Sequence, residues 1–304
     1  MQNNNLGEFH SKTVLKIIKK AYSLIVKKKK VLPKCIQDAD VASNLLFKEL
    51  NSNKPVMVAR FGSTELINIV NFLGVTQKKY HNYLSYIRGQ TPAWWWQEHV
   101  MKQLEDWSGF FPPSQEKITQ FCEMMIEDSK EVDILGSWLE DEKLMSEYMH
   151  DKKVHLRFLE PFWNDTPWTK VLKDKRVLVI HPFKYTIEKQ YENRESLFKN
   201  KDVLPQFKSL RVIRAVQSLG GNSEFKDWFE ALDYMKDQID QEDYDICLIG
   251  AGAYGFPLAA HVKRIGKQAV HMGGALQLLF GIIGKRWEDP MYGVNEWGIQ
   301  ENFY

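Results

Sequence analysis

Hydrophobic residues recur along this chain in two rhythms. Short runs rich in β-branched and aromatic residues occupy 56–61, 132–138, 155–160, 176–183, 211–218, 245–250 and 268–274, and runs of this length and composition predict strands. Between several of them, 114–129, 186–198 and 223–239 repeat apolar residues every three or four positions, the period of a helix with one buried side. Strands alternating with helices predict an α/β chain: a doubly wound, mostly parallel, Rossmann-like sheet with helices on both faces.

The 304 residues, 44% hydrophobic and 26% charged, supply a sizeable core and exclude wholesale disorder. The formal charge of +2 hides an asymmetry. Between Phe9 and Gln37 stand nine lysines and no acid, which leaves 32 basic against 39 acidic residues in the rest of the chain. Val14, Ile17, Ile18, Ala21, Leu24 and Ile25 are helically spaced among those lysines, predicting a basic amphipathic helical arm over 1–37 ahead of a single α/β domain over 38–304. Two roles stay open for residues 12–30: docking on the domain with a solvated lysine face, or attachment to an anionic membrane surface. Nucleic acid is not expected as a partner, because a phosphate-binding surface would extend onto the body, which is acidic. A second break is expected at Phe110-Phe111-Pro112-Pro113, closing a helical insertion rich in aromatics.

No window reaches the roughly 18 to 20 consecutive apolar residues of a membrane span, and the first residues lack the apolar core of a secretory signal. A cytoplasmic location is expected, with at most peripheral contact at the inner face of a membrane. Cys35, Cys122 and Cys247 are widely spaced without a CxxC pair and are expected as reduced thiols with packing roles.

After the apolar run at 245–249 comes Gly250-Ala251-Gly252-Ala253-Tyr254-Gly255, then a helical stretch closed by Gly266. Strand, glycine turn and helix together let the backbone approach a phosphate, with free N–H groups at the helix start. A nicotinamide or flavin site would place an acid about 20 residues further on, whereas the next strand here ends in His271-Met272-Gly273-Gly274. The expectation is a phosphate or diphosphate cradle made by Gly250, Gly252, Ala253, Tyr254 and Gly255 with His271, Gly273 and Gly274. The alternative is a turn whose glycines serve tightness alone.

A second constellation begins where 56–61 ends in Arg60, and Gly62-Ser63-Thr64-Glu65 opens a helix. An arginine at a strand end suits bidentate contact with phosphate, and a glutamate in the first helical turn reaches the crevice where open α/β sheets bind ligands. Equally, Ser63 or Thr64 would cap the helix and Glu65 would complement its dipole.

The segment Arg60-Phe61-Gly62-Ser63-Thr64-Glu65 resembles the RFGDGE segment of the GT-D-fold glycosyltransferases, bacterial enzymes of surface-glycan assembly. The runs 250–260 and 266–274 resemble the late strand–turn–helix–strand unit of related glycan-biosynthesis proteins, and the similarity spans 54–287. This resemblance implies a GT-D-like fold, a nucleotide-diphosphate sugar donor, and a glycan or lipid-linked acceptor in surface-polysaccharide synthesis. It also implies a divalent cation (Mn or Mg) served by an Asp-x-Glu pair. Ser63 stands at the position of the family's first acid, so only Glu65 carries over, and a serine oxygen is a poorer ligand for a hard cation than a carboxylate.

Combined, these features give Glu65 and His181 as catalytic candidates, Glu65 also as the metal candidate, and Arg60, Gly62, Ser63, the 250–255 turn, His271, Gly273 and Gly274 as substrate- or nucleotide-binding residues. His181 ends the run 176–181 ahead of Pro182, and a hydrogen-bonded structural role stays open for it. Trp94-Trp95-Trp96 cannot share one helix face, so at least one ring is expected at a groove or interface. Glu140-Asp141-Glu142 is expected as a solvated loop, with a cation-facing role as the alternative. The expected function is nucleotide-sugar-dependent glycosyl transfer; the rivals are a dinucleotide-dependent oxidoreductase using 250–255 and a non-catalytic subunit of a glycan-assembly complex.

Overall fold

The computed structural model describes residues 2–26, 33–149, 152–221 and 223–289. In chain order the helices are α1 (Gln2–Ile25), α2 (Ala39–Leu50), α3 (Ser63–Thr76), α4 (Tyr83–Ile87), α5 (Glu98–Ser108), α6 (Gln115–Ser129), α7 (Lys184–Glu192), α8 (Trp228–Asp240), α9 (Gly255–Arg264) and α10 (Leu276–Leu279). The strands are β1 (Val56–Ala59), β2 (Ile134–Ser137), β3 (Lys153–His155), β4 (Arg176–His181), β5 (Ser209–Arg214), β6 (Ile246–Ile249) and β7 (Gln268–His271). They form one parallel sheet in the order β3-β2-β1-β7-β6-β4-β5. The doubly wound, Rossmann-like α/β architecture expected from the alternation is the one observed.

Alternation along the strands divides the core in two. Met57, Ala59, Leu135, Leu178, Ile180, Cys247, Ile249 and Ala269 pack toward α3, α5, α6, α8 and α9. Val56, Val58, Ile134, Val177, Val179, Ile246, Leu248 and Val270 pack toward α2, α7 and α10. Successive strand residues face opposite ways, so strands buried on both faces read as unbroken apolar runs. Side-chain caps fix several helix starts: Asp38 accepts from the Val41 amide (2.9 Å), Ser114 from Lys117 (3.2 Å) and Asp227 from Glu230 (3.0 Å), each satisfying an amide with no intrahelical partner.

Boundaries differ from expectation where tertiary contacts take over. The expected strand at 155–160 is β3 at Lys153–His155 followed by a 3-10 turn, Leu156–Leu159. There His155 Nδ1 accepts the Arg157 amide and Leu156 and Leu159 turn into the core. The helix expected over 223–239 starts at Trp228, behind the Asp227 cap, and 211–218 pairs as Ser209–Arg214. The break expected at Phe110–Pro113 is the irregular link between α5 and α6, and its first aromatic is buried: Phe110 packs on Phe121 at 5.0 Å and on Trp228 at 5.3 Å. Cys122 and Cys247 are buried, Cys35 is partly exposed, and all three are free thiols.

Helix α1 rests on α4 and the tryptophan run. Leu15 packs among Tyr86, Ala93 and Trp95, and Trp94 meets Tyr83, Tyr86 and Trp95 edge-on. Among the described residues no helix is long and apolar enough to cross a membrane. The part of the expected arm at 27–32 lies outside the described residues.

The winding places the site. Connections after β1 and β6 lead to the α3/α9 side of the sheet, and those after β7 and β4 lead to the α10/α7 side. Since these four strands lie side by side as β1-β7-β6-β4, the chain leaves toward opposite faces at each neighbouring pair. That opens a crevice at their carboxyl ends, where open α/β sheets bind ligands.

Candidate functional site

Four strand ends deliver the expected residues to that crevice: Arg60, Gly62, Ser63 and Glu65 after β1, His271, Gly273 and Gly274 at and after β7, 250–255 after β6, and His181 at the end of β4. Close approaches tie them into one cluster. A Cβ on Gly273 would lie 3.3 Å from Arg60 Nη1, one on Gly250 would lie 2.7 Å from the Gly273 carbonyl and 2.8 Å from His181 Cδ2, and one on Gly255 would lie 2.1 Å from His271 Cε1.

Arg60 carries the site's electrostatics. Its guanidinium stands 5.2 Å from the centre of the Trp138 ring, and its Nε is shut away from solvent with no hydrogen-bond partner. Loss of water is the main force lowering its pKa; Glu65 opposes that shift, Arg286 adds to it, and Glu142 again opposes it. The group stays cationic, since arginine does not deprotonate in proteins. A partly buried cation with an orphaned buried donor is costly to the fold and suits an incoming anion.

Trp138 is fixed for this contact. Its Nε1 donates to the Phe61 carbonyl (3.0 Å), and its amide and that of Leu139 donate to Glu142 Oε1, each at 3.0 Å. Ser137 Oγ donates to the other oxygen of Glu142. In the acidic run 140–142, then, Glu142 is turned inward as a buried loop clamp, neither solvated nor open to a cation, while Glu140 pairs with Lys143 at 2.8 Å.

Glu65 is buried in the first turn of α3. Its Oε2 accepts from Thr64 Oγ1 at 2.8 Å, and the same hydroxyl hydrogen-bonds Ser108 Oγ at the end of α5. The carboxylate folds back over Gly62, where a Cβ would stand 1.8 Å from Oε2. Gly62 itself is the N-cap, with no side-chain cap bond. Capping by Ser63 or Thr64 is thus not observed: Ser63 is exposed and Thr64 is committed to Glu65 and Ser108. The amides at the start of α3 keep their donors for the crevice.

Both histidines are neutral at neutral pH. Burial lowers His181 to about 4; it lowers His271 to about 3, with the charge of Arg60 as the second cause. His181 Nδ1 accepts the Phe183 amide at 3.1 Å, so the proton sits on Nε2. His271 Nδ1 faces the Ile249 carbonyl at 3.3 Å, which only accepts, so Nδ1 carries the proton and Nε2 is the free acceptor. His181 therefore offers a donor rather than a base.

The 250–255 turn is packed more tightly against its own chain than a ligand cradle requires. Gly252 has φ +54, in the left-handed region that favours glycine, and a Cβ there would lie 3.2 Å from the Ser108 carbonyl. Ala253 and Tyr254 are buried. The Tyr254 ring stacks on Trp228 at 5.0 Å and its hydroxyl meets Ser218 Oγ at 2.6 Å. Both of these side chains, expected to bind nucleotide, are turned into the core, and only the backbone of the turn borders the crevice.

The sequence reading missed Arg286. It lies in a short 3-10 turn, Lys285–Glu288, with its guanidinium 4.9 Å from the Trp287 ring and Nη2 3.7 Å from where a Cβ on Gly274 would be. The sole local signal is a Lys-Arg-Trp run after the last strand, which fits no motif. With Arg60 it places two guanidinium groups beside the glycines that follow β7.

The divalent cation implied by the resemblance was tested against this donor set. Among the described residues no three His, Cys, Asp or Glu side chains converge as a metal site. Glu65 offers one carboxylate with Arg60 nearby, and Glu142 is consumed by two backbone amides and the Ser137 hydroxyl. These residues do not fit a cation held by protein ligands alone. No protein-family model, curated protein or solved structure significantly matches the chain.

Proposed function

We propose that the protein is a glycosyltransferase that takes a sugar from a nucleotide-diphosphate donor and passes it to a hydroxyl of a glycan or lipid-linked acceptor. The observation that carries this is the partly buried guanidinium of Arg60, its Nε shut away without a partner, set with Arg286 beside Gly273 and Gly274 at the carboxyl ends of the central strands. Glycines there leave room for a diphosphate, and two fixed cations supply the charge to hold it.

As the bond between the sugar and the diphosphate breaks, negative charge grows on the leaving oxygen. Positioned cations in a site shielded from water stabilise that charge most in the transition state. Arg60 and Arg286 perform this task. Glu65 accepts the proton of the attacking hydroxyl, held for it by Thr64, and the Nε2–H of His181 donates a hydrogen bond rather than removing a proton. A dinucleotide-dependent oxidoreductase has less support, because the imidazole of His271 occupies the space beside Gly255.

A panel of nucleotide-diphosphate sugars, scored by release of nucleoside diphosphate, tests the proposal. Release with one or a few donors supports it. Absence of any nucleoside-diphosphate binding by calorimetry overturns it.

A further inference from the structure

The arm helix docks by the face that the sequence pattern does not favour. Its contacts with the body run through Leu15, which is buried, Lys16, whose Nζ stands 5.9 Å from the Trp95 ring centre, and Lys19, whose Nζ stands 4.1 Å from that of Tyr86. At about 100° per residue, Val14, Ile17, Ile18, Ala21, Leu24 and Ile25 form one stripe on the other side. That stripe faces outward: its five large residues are 43% to 83% exposed, Leu24 and Ile25 the most, and Ala21 is exposed as well. An ordinary amphipathic helix on a soluble domain buries such a stripe and solvates its lysines.

We infer that α1 is a membrane-surface device: the outward stripe enters the headgroup boundary of an anionic bilayer while the lysines beside it bind lipid phosphates. Three observations favour this occupant. The stripe is about 120° wide, as an interfacial helix requires. Lys20 is exposed along its edge, and the sequence continues with Lys27, Lys28, Lys29 and Lys30, each lysine near an anionic surface contributing on the order of 1 kcal/mol. No acid stands between Phe9 and Gln37, so a second copy pairing along the stripe would bring lysine rows together with nothing to neutralise them. The acidic remainder of the chain is repelled by the same surface, which directs the arm toward it.

The test is co-sedimentation of the full chain with vesicles of phosphatidylcholine alone or of phosphatidylcholine with phosphatidylglycerol, at low and high salt. Binding at least ten times tighter to the anionic vesicles, and weakened by salt, is expected. The double change Ile17→Glu with Leu24→Glu lies on exposed positions, so the melting temperature should hold while binding falls at least tenfold. Lys20→Gln should weaken binding to anionic vesicles alone. Equal binding to both vesicle types, or none, overturns the inference. So does a concentration-dependent dimer that the Ile17→Glu, Leu24→Glu chain fails to form, because a second copy would then cover the stripe.

Discussion

The imidazole of His271 fills the space that a side chain at Gly255 would need: a Cβ there would stand 2.1 Å from Cε1 and 2.4 Å from Nδ1. The last glycine of the GxGxxG turn is thus required by the histidine at the end of the neighbouring strand. Gly255→Ala should cost roughly 1 to 3 kcal/mol by overpacking, because the ring it displaces is held to the Ile249 carbonyl. Urea unfolding measures this. An unchanged midpoint would show that α9 can shift away freely and that the glycine serves ligand access instead.

Arg60 is a cost to the fold and an asset to the site. Arg60→Met removes a partly buried charge whose Nε is shut away without a partner, so stability should hold or rise while nucleoside-diphosphate affinity falls by at least about tenfold. Arg286→Met should lower the same affinity without the gain in stability. Calorimetry in the presence of a chelator should give the wild-type affinity, since the arginines supply the neutralising charge. Loss of binding on chelation would return a divalent ion to the centre of the site.

Glu65→Gln keeps the shape and an acceptor for Thr64 Oγ1. Fold and donor affinity should survive, whereas turnover should drop by the roughly 10² to 10⁴ that follows loss of a positioned base. Full turnover in this variant would remove Glu65 from the chemistry and leave it as a packing group over Gly62.

Glu160 gives a prediction with a definite sign. Burial raises its pKa from 4.5 to about 7, with the Trp163 indole bond and Arg157 pulling the other way. The folded state therefore holds this proton more tightly than the unfolded chain. Stability from it is fully present below pH 4.5 and is lost as pH rises through about 7. Glu160→Gln keeps an acceptor for Trp163, so it should be more stable than wild type by about 1 to 3 kcal/mol at pH 8 and level with it near pH 4.5. His181 and His271 act in the opposite sense: with folded values of about 4 and about 3, they withdraw stability as pH falls below 6.5. Urea midpoints of wild type and variant at pH 8, 6 and 4.5 check the crossing, and a pH-independent difference would refute the assignment.

What the sequence determined by itself was local. Short runs rich in β-branched and aromatic residues named seven strands, the central ones unbroken because a strand buried on both faces has no polar side to show, and apolar residues every three or four positions marked helices such as the one over 114–129. The position of Arg60, Glu65 and the glycine turns at strand ends followed from the same punctuation, so most of the candidate site was legible as separate pieces. Their meeting was not. That β7 lies between β1 and β6 is a matter of pairing between distant segments, which leaves no trace in a window of a dozen residues, and it alone brings Arg60 over Gly273 and His271 against Gly255. Tertiary packing also turned Tyr254 into the core against Trp228 and brought Arg286 to the site from a run without a motif. It fixed which face of α1 is covered as well: the period of Val14, Ile17, Ala21 and Leu24 specifies an apolar stripe, but the aromatic platform of Tyr86 and Trp95 took the lysine side. Periodicity records that a helix has two faces; only the surface it meets decides which of them is buried.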